Sequence, residues 1–259
     1  MCCNGVRAIA LVVLLLGLPR AHAALCPETV VIGYPAGRWP IAALGQDGPD
    51  GISAGYLQQL SAHGVTFSLR PLHGSAGAAA ADGLQGLIGW PRTEVPHGWL
   101  ASQPYLQLPQ VIVRRRDAVP LIDLGGLHGQ RVATLAPNTL AGPLHAQARG
   151  AHLLPMADID RALDLLDSGT VDAVVANLAE AEAGLRRRGD DRLHVAAPAG
   201  LDSSFVLAAP PACASQVYAF NDLLQAMPAQ QQLALLQAGR TPSAARIAAE
   251  TPLLRGGRP

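Results

Sequence analysis

WLASQPYLQLPQVIVRRR, residues 99–116, is the stretch on which the reading of this chain turns. Ser102-Gln103-Pro104-Tyr105 is polar and turn-prone, anchored by one aromatic. Val111-Ile112-Val113 is β-branched throughout, which suits a short buried strand. Arg114 to Arg116 then read as the solvated end of that strand, the alternative being a cluster that steers anions. One α/β pattern precedes the stretch and a second follows it. The strand is therefore expected to be the first of two crossings between two lobes, with a small ligand bound where the lobes meet.

On the N-terminal side, TVVIGY (Thr29 to Tyr34) reads as a strand, and Pro35 to Asp50 as a Gly/Pro-rich loop centred on Arg38-Trp39-Pro40. Ile52, Tyr56, Leu57 and Leu60 fall on one helical face, and Gly64 stands where a C-terminal glycine belongs. Val65, Phe67 and Leu69 alternate as in a second strand, completing a βαβ unit. Gly74 to Asp82 is a short helix or a loop. Leu84 to Ile88 is a third strand, broken by Trp90-Pro91-Arg92-Thr93-Glu94.

On the C-terminal side, Asp123 to Gly129 reads as a helical turn and loop, and Arg131 to Leu135 as a strand. Pro137-Asn138-Thr139 leads into a helix ending near Arg149, with Pro143 unsettling its start. Leu153-Leu154 is a brief strand. Asp158 opens the best-patterned helix, with Ile159, Ala162, Leu163 and Leu166 at i, i+3, i+4, i+7 and Gly169 behind it. VDAVVA (171–176) is a buried strand, and Ala179 to Arg188 a helix with Arg186 to Arg188 at its exposed end. SFVLAA (204–209) is the expected return crossing. Val217, Phe220, Leu224 and Met227 share the face of one further helix, and Gln230 to Gln237 forms another. The fold class is α/β, with lobe 1 over 24–112 plus 208–240, lobe 2 over 113–207, and a frayed tail over 241–259.

The first 23 residues read as a cleavable export signal. Arg7 supplies the positive charge, Ala8 to Leu18 the apolar core, and Ala21-His22-Ala23 the cleavage site. Lipidation at Cys26 is disfavoured by Leu25 before it. Removing Arg7 and Arg20 from 19 basic residues leaves 17 against 19 acidic ones, a net charge of −2. That balance gives no reason to expect a nucleic-acid partner. Cys26 and Cys213 then form an even pair in an oxidising compartment and are expected to be disulfide-bonded, the alternative being two buried thiols. The histidines have no zinc spacing, and there is no nucleophile elbow, P-loop or dinucleotide-binding turn. No cofactor, metal or catalytic residue is therefore expected.

Four segments in order carry a resemblance: VVIGYPAGRWP with DGPDGISAGYLQQLSAHGVTFSL, WLASQPYLQLPQVIVRRRD, IDLGGLHGQRVATLAPNTL, and ALDLLDSGTVDAVVANLAEAEAGL. Over Thr29 to Met227 the chain resembles the extracellular solute-binding proteins of the amino-acid type (family 3). These have a two-lobed Venus-flytrap fold, the type II periplasmic-binding-protein-like architecture. The wording is most similar to BvgS-like periplasmic sensory domains. The resemblance implies a periplasmic protein that captures a small polar or anionic organic ligand and presents its closed form to a membrane transporter or sensor kinase. Exported enzymes resembling cyclohexadienyl dehydratases share the fold, and Glu94 is the acid such an enzyme would use here. A degenerate receptor domain acting through protein contacts is a third reading.

Two departures from the family bear on the ligand. The arginine that clamps an α-carboxylate in the family falls on Val95, and the acceptor for the amino group falls on Asn177. Asn accepts a hydrogen bond but does not neutralise an ammonium, so a standard α-amino acid is not the expected ligand. The candidate ligand-binding residues are Trp39 and Trp90, on loops after strands of the first lobe; Arg92, for an anionic group, or else a surface partner of Glu94; Asn138 and Thr139, at a helix N-terminus; and Asn177. Tyr105 and Asp172 are expected to be structural.

Overall fold

The computed structural model describes residues 26–45, 48–74, 76–77, 83–189 and 191–240. The expected signal (1–23), the tail (241–259) and most of Gly74 to Asp82 lie outside the described residues. In the first half, strand β1 (Val30–Pro35), helix α1 (Ile52–Ala62) and strand β5 (Phe67–Leu72) form the expected unit, with β5 parallel to β1. Strand β6 (Gly86–Pro91) lies parallel on the other side of β1. Helix α1 buries Ile52, Tyr56, Leu57 and Leu60, the face the periodicity predicts.

The second half repeats the pattern. Strand β9 (Arg131–Thr134) is flanked by two parallel strands, β10 (His152–Pro155) and β11 (Ala173–Asn177). Helix α2 (Pro137–Gln147) keeps Pro143 inside it. Helix α3 (Ile159–Asp167) starts on Asp158, whose carboxylate accepts from the Arg161 N–H at 2.8 Å. Helix α4 (Leu178–Arg188) starts on Asn177 and ends on Gly189 at φ 66°, a left-handed position that favours glycine.

Two long strands join the halves. β8 (Leu106–Arg115) and β12 (Leu193–Ala209) pair antiparallel, so the hydrogen-bonded sheet runs without a break in the order β10-β9-β11-β8-β12-β6-β1-β5, with the short β7 (Leu100–Ala101) also paired to β12. The side chains do not share one core. On β8, Leu106 and Leu108 pack with Ile32, Tyr56 and Phe220, whereas Val111 and Val113 pack with Leu163 and Val174. On β12, Ala197 and Ala199 pack in the second half, and Phe205 and Leu207 in the first. Each crossing strand therefore contributes to two separate cores within a few residues. Helices α5 (Ala214–Ala226) and α6 (Ala229–Arg240) follow, and Phe220 of α5 returns the chain to the first core. Cys26 and Cys213 are disulfide-bonded, tying residues 187 apart in sequence.

Three expectations are corrected. The return crossing is not confined to 204–209: it begins at Leu193, because β8 pairs with it from Arg115 onward and carries it past Pro198 with register shifts. The loop 35–50 contains a small antiparallel sheet of β2 (Gly37–Arg38), β3 (Ala42–Gly45) and β4 (Gly48–Asp50). The arginine clusters are solvated only in part, Arg116 and Arg186 being exposed and their neighbours not. Arg114 is buried and donates to the Val119 carbonyl at 2.6 Å, while Arg115 donates to the Leu166 carbonyl at 3.0 Å. Arg187 and Arg188 reach from α4 to Asp160, Asp164 and Asp167 of α3, stitching the two helices together.

A candidate ligand cleft between the lobes

Two polar clasps bridge the halves. The first starts on β2, where the hairpin directs Arg38 across the gap to the first turn of α4. Its Nε donates to Glu180 Oε1 at 2.8 Å and its Nη2 to Oε2 at 3.1 Å, a two-point pair. Arg38 is 5 % exposed and Glu180 is fully buried. Asn177 completes the group: its Oδ1 accepts from the Glu180 N–H, and its Nδ2 donates to Glu180 Oε2. The guanidinium carbon lies 5.8 Å from the centre of the Phe205 ring. Trp39 packs beside this clasp against Ala43 and Ala183, closing it to water from one side.

The second clasp is formed by the 3-10 turn Arg92–Glu94 after β6. Glu94 accepts from the Asn138 backbone N–H through Oε1 and from Asn138 Nδ2 through Oε2, both at 2.9 Å. The hydroxyls of Thr93 and Thr139 are hydrogen-bonded beside it. Glu94 thus caps α2 from the opposite half of the molecule, where a negative charge suits the helix dipole.

Between the clasps lies a cavity of about 230 Å³. Arg38, Trp90 and Glu94 line it from the first half, and Leu135, Pro137 and Met156 from the second. Burial pushes the Glu94 carboxyl above its ordinary 4.5, outweighing the Asn138 hydrogen bond and the charge of Arg38, which pull it down. A raised carboxyl favours folding below its unfolded pKa, and that contribution is lost as pH rises through the folded value. At neutral pH the ionised group is therefore a liability. Glu94→Gln is expected to melt no lower than the native protein at pH 7, as followed by circular dichroism, with its relative advantage shrinking near pH 4.

No protein-family profile and no curated protein sequence matches this chain. Solved structures do match. An ancestral arginine-binding protein bound to arginine superposes with a TM-score of 0.69 at 18 % identity, covering 82 % of this chain and 98 % of the other. The VFT2 domain of Bordetella pertussis BvgS gives 0.67 at 20 %, covering 81 % and 92 %. A histidine kinase sensor domain with similarity to periplasmic binding proteins gives 0.67 at 19 %, covering 81 % and 95 %. The fold is that of the two-lobed periplasmic binding proteins.

Within this periplasmic-binding-protein fold, the residues singled out from sequence take different places. Trp90 lines the cavity. Trp39 lies one layer behind it, in the first clasp. Arg92 is exposed and donates through Nη2 to the Ser102 carbonyl, steadying the loop before β8 rather than pairing with Glu94. Asn138 and Thr139 reach the cleft edge but are engaged by Glu94 and Thr93. Asn177 is buried behind Arg38 as a helix cap. Tyr105 is structural: its hydroxyl is 2.7 Å from Ser53 Oγ, and its ring contacts Tyr56 and Phe220. Asp172 accepts from the Arg131 backbone and side chain at the start of β9.

Arg38 and Glu180 were not identified as site residues from sequence. Asn177-x-x-Glu180 carries the spacing of a capping box, and that reading conceals Glu180's tertiary partner. Arg38 sits in a segment that reads as loop. Among the described residues, no group of three or more His, Cys, Asp or Glu is arranged to hold a metal ion. Likewise, no described helix is long and apolar enough to cross a membrane.

Proposed function

We propose that the protein is an exported ligand-binding clamshell: its lobes close over a small organic molecule, and a membrane transporter or sensor kinase reads the closed form. The observation that carries this reading is the cavity itself, walled by both halves and flanked by clasps that exist only when the halves are together. A ligand touching both walls interacts with the closed state more than the open one and so shifts the population toward it. The joints lie where the two cores exchange on the crossing strands, between Leu108 and Val111 and between Ala199 and Phe205. On this reading lobe 1 comprises roughly residues 24–112 and 208–240, lobe 2 roughly 113–207, and residues 1–23 direct export to the periplasm.

The reading of the ligand as small and polar or anionic draws on Arg92, which the cavity does not include, and on Asn138 and Thr139, which are engaged by Glu94 and Thr93. Arg38, the cation that lines it, is already paired with Glu180. The proposed site therefore shifts to Trp90, Glu94, Leu135 and Met156, with Asn138 and Thr139 at its edge, and Trp39 and Asn177 supporting Arg38. A thermal-shift screen with small organic molecules tests the reading. A compound that binds at a hundred times its Kd should add about 2.7 kcal/mol to the folded state and change the fluorescence of Trp90. If no compound raises the midpoint, the reading fails.

Glu94, a carboxyl held high by burial in a cleft, is also the feature an exported dehydratase would need. Its two oxygens already accept from Asn138, which leaves it poorly placed to deliver a proton. Incubation with prephenate or arogenate is expected to yield no aromatic product above the uncatalysed rate. Turnover that Glu94→Gln abolishes would establish the enzymatic reading instead.

A further inference from the structure

We infer that the cavity between the clasps is selective for a small organic cation: an amine or quaternary ammonium with a compact apolar body, and no carboxylate. This rests on the ligand-binding reading above and adds the chemical class.

Charge comes first. Arg38 brings a positive charge to the cavity, but two of its N–H groups are committed to Glu180, which is buried behind it. The pair is neutral as a unit. Glu94 is left as the remaining charge on the wall, only partly offset by Arg38. Its oxygens accept from the Asn138 backbone N–H and Nδ2, and the Thr139 backbone N–H acts on the same carboxylate, whereas a carboxylate offers about four acceptor sites. Capacity for a further donor therefore remains on the side of Glu94 away from Asn138.

Shape and polarity come next. Leu135, Pro137 and Met156 offer hydrocarbon and thioether surface, and Trp90 an aromatic wall. An ammonium beside a carboxylate tolerates aromatic neighbours, because the face of an indole attracts cations. An anion would face Glu94 with no unpaired counter-charge. A zwitterionic amino acid would need a second, free cation for its carboxylate. Arg38 is engaged, and Val95 occupies the family's clamp position. The volume of about 230 Å³ falls below the range of about 300–1,000 Å³ usual for ligand pockets, which limits the guest to a small molecule.

The test uses size-matched probes of opposite charge on the purified protein: benzylamine and choline against benzoate and benzyl alcohol, each at millimolar concentration, read by thermal shift and calorimetry. Benzylamine or choline is expected to raise the midpoint, and benzoate to leave it unmoved. Glu94→Gln keeps an acceptor for the Asn138 N–H and should remain folded. It is expected to lose about tenfold or more in amine affinity, because the buried counter-charge is gone. Met156→Lys, which adds a like charge to the opposite wall, should abolish amine binding and admit benzoate. If benzoate binds the native protein, or if Glu94→Gln binds amines undiminished, the cation assignment is overturned while the clamshell reading stands. If neither these probes nor a wider panel of small cations, anions and neutral molecules shifts the midpoint, both are overturned.

Discussion

Replacing Glu180 with alanine is expected to lower the unfolding free energy by about 3–5 kcal/mol and to separate the lobes without any change of ligand. The magnitude follows from what the substitution leaves behind. Arg38 is 5 % exposed, and its guanidinium has left water for the Glu180 carboxylate. With the partner removed, an unpaired charge stays buried at large cost until the lobes part and water returns to it. Opening is the relaxation available to the molecule, since Arg38 and Glu180 sit in different halves. Asn177 would also lose the acceptor for its Nδ2.

Equilibrium urea unfolding measures the first effect, and small-angle scattering measures the second as an increase in radius of gyration. Arg38→Ala should destabilise less than Glu180→Ala, because the orphaned carboxylate retains one donor, the Asn177 Nδ2. The double replacement Arg38→Met with Glu180→Leu should restore most of the loss, because a hydrophobic pair of similar volume carries no desolvation penalty. A Glu180→Ala protein with unchanged midpoint and unchanged scattering would show that the clasp does not hold the lobes.

The second large effect is expected on removal of the disulfide. Cys213→Ser should cost about 2–5 kcal/mol and reduce cooperativity at the N-terminal edge of the first lobe. The bond closes a loop spanning 187 residues, almost the whole described chain. In the chain-entropy account, cross-linking such distant positions removes more freedom from the unfolded ensemble than any short loop does. Cys213 is buried with Ala209 and Val217, so a serine there would also place a hydroxyl among apolar neighbours. Cys26→Ser, at the less buried end, separates the two causes and should lose the entropic part alone. Chemical denaturation with and without reductant checks this. A native protein whose midpoint ignores reductant, while free thiols appear on unfolding, would refute the prediction.

Much of the architecture was legible along the chain. Ile52, Tyr56, Leu57 and Leu60 repeat at helical spacing, and the structure buries that face. Asp158 before Ile159, and Gly189 after Arg188, mark helix ends through local hydrogen bonds and a permissive backbone. The pair Cys26 and Cys213 was legible by elimination, once Cys2 and Cys3 were assigned to the expected export signal. Strand β12 was only half visible: Pro198, Gly200 and Asp202 lack the alternation of a strand, and pairing with β8 overrides local preference there. Arg114 read as solvated because it opens a run of charges. The turn that folds back over it, bringing the Val119 carbonyl to its Nη1, is a tertiary event.

The cleft divides in the same way. Trp90 could be picked out because an aromatic near the end of a strand of an α/β lobe points to the carboxyl edge of the sheet, although it lies within β6 and not on the loop expected after it. Arg92, two residues on, looked equally suitable, and its side chain turns to Ser102 instead. The sequence by itself determined most of the helices and the central strands of both halves, because periodicity, caps and glycine turns depend on residues within a few positions. Only the tertiary structure decided the charge of the cleft. Arg38 and Glu180 stand 142 residues apart, and a charge that is free or cancelled depends on which side chain faces it across a gap, a relation with no signature in local spacing.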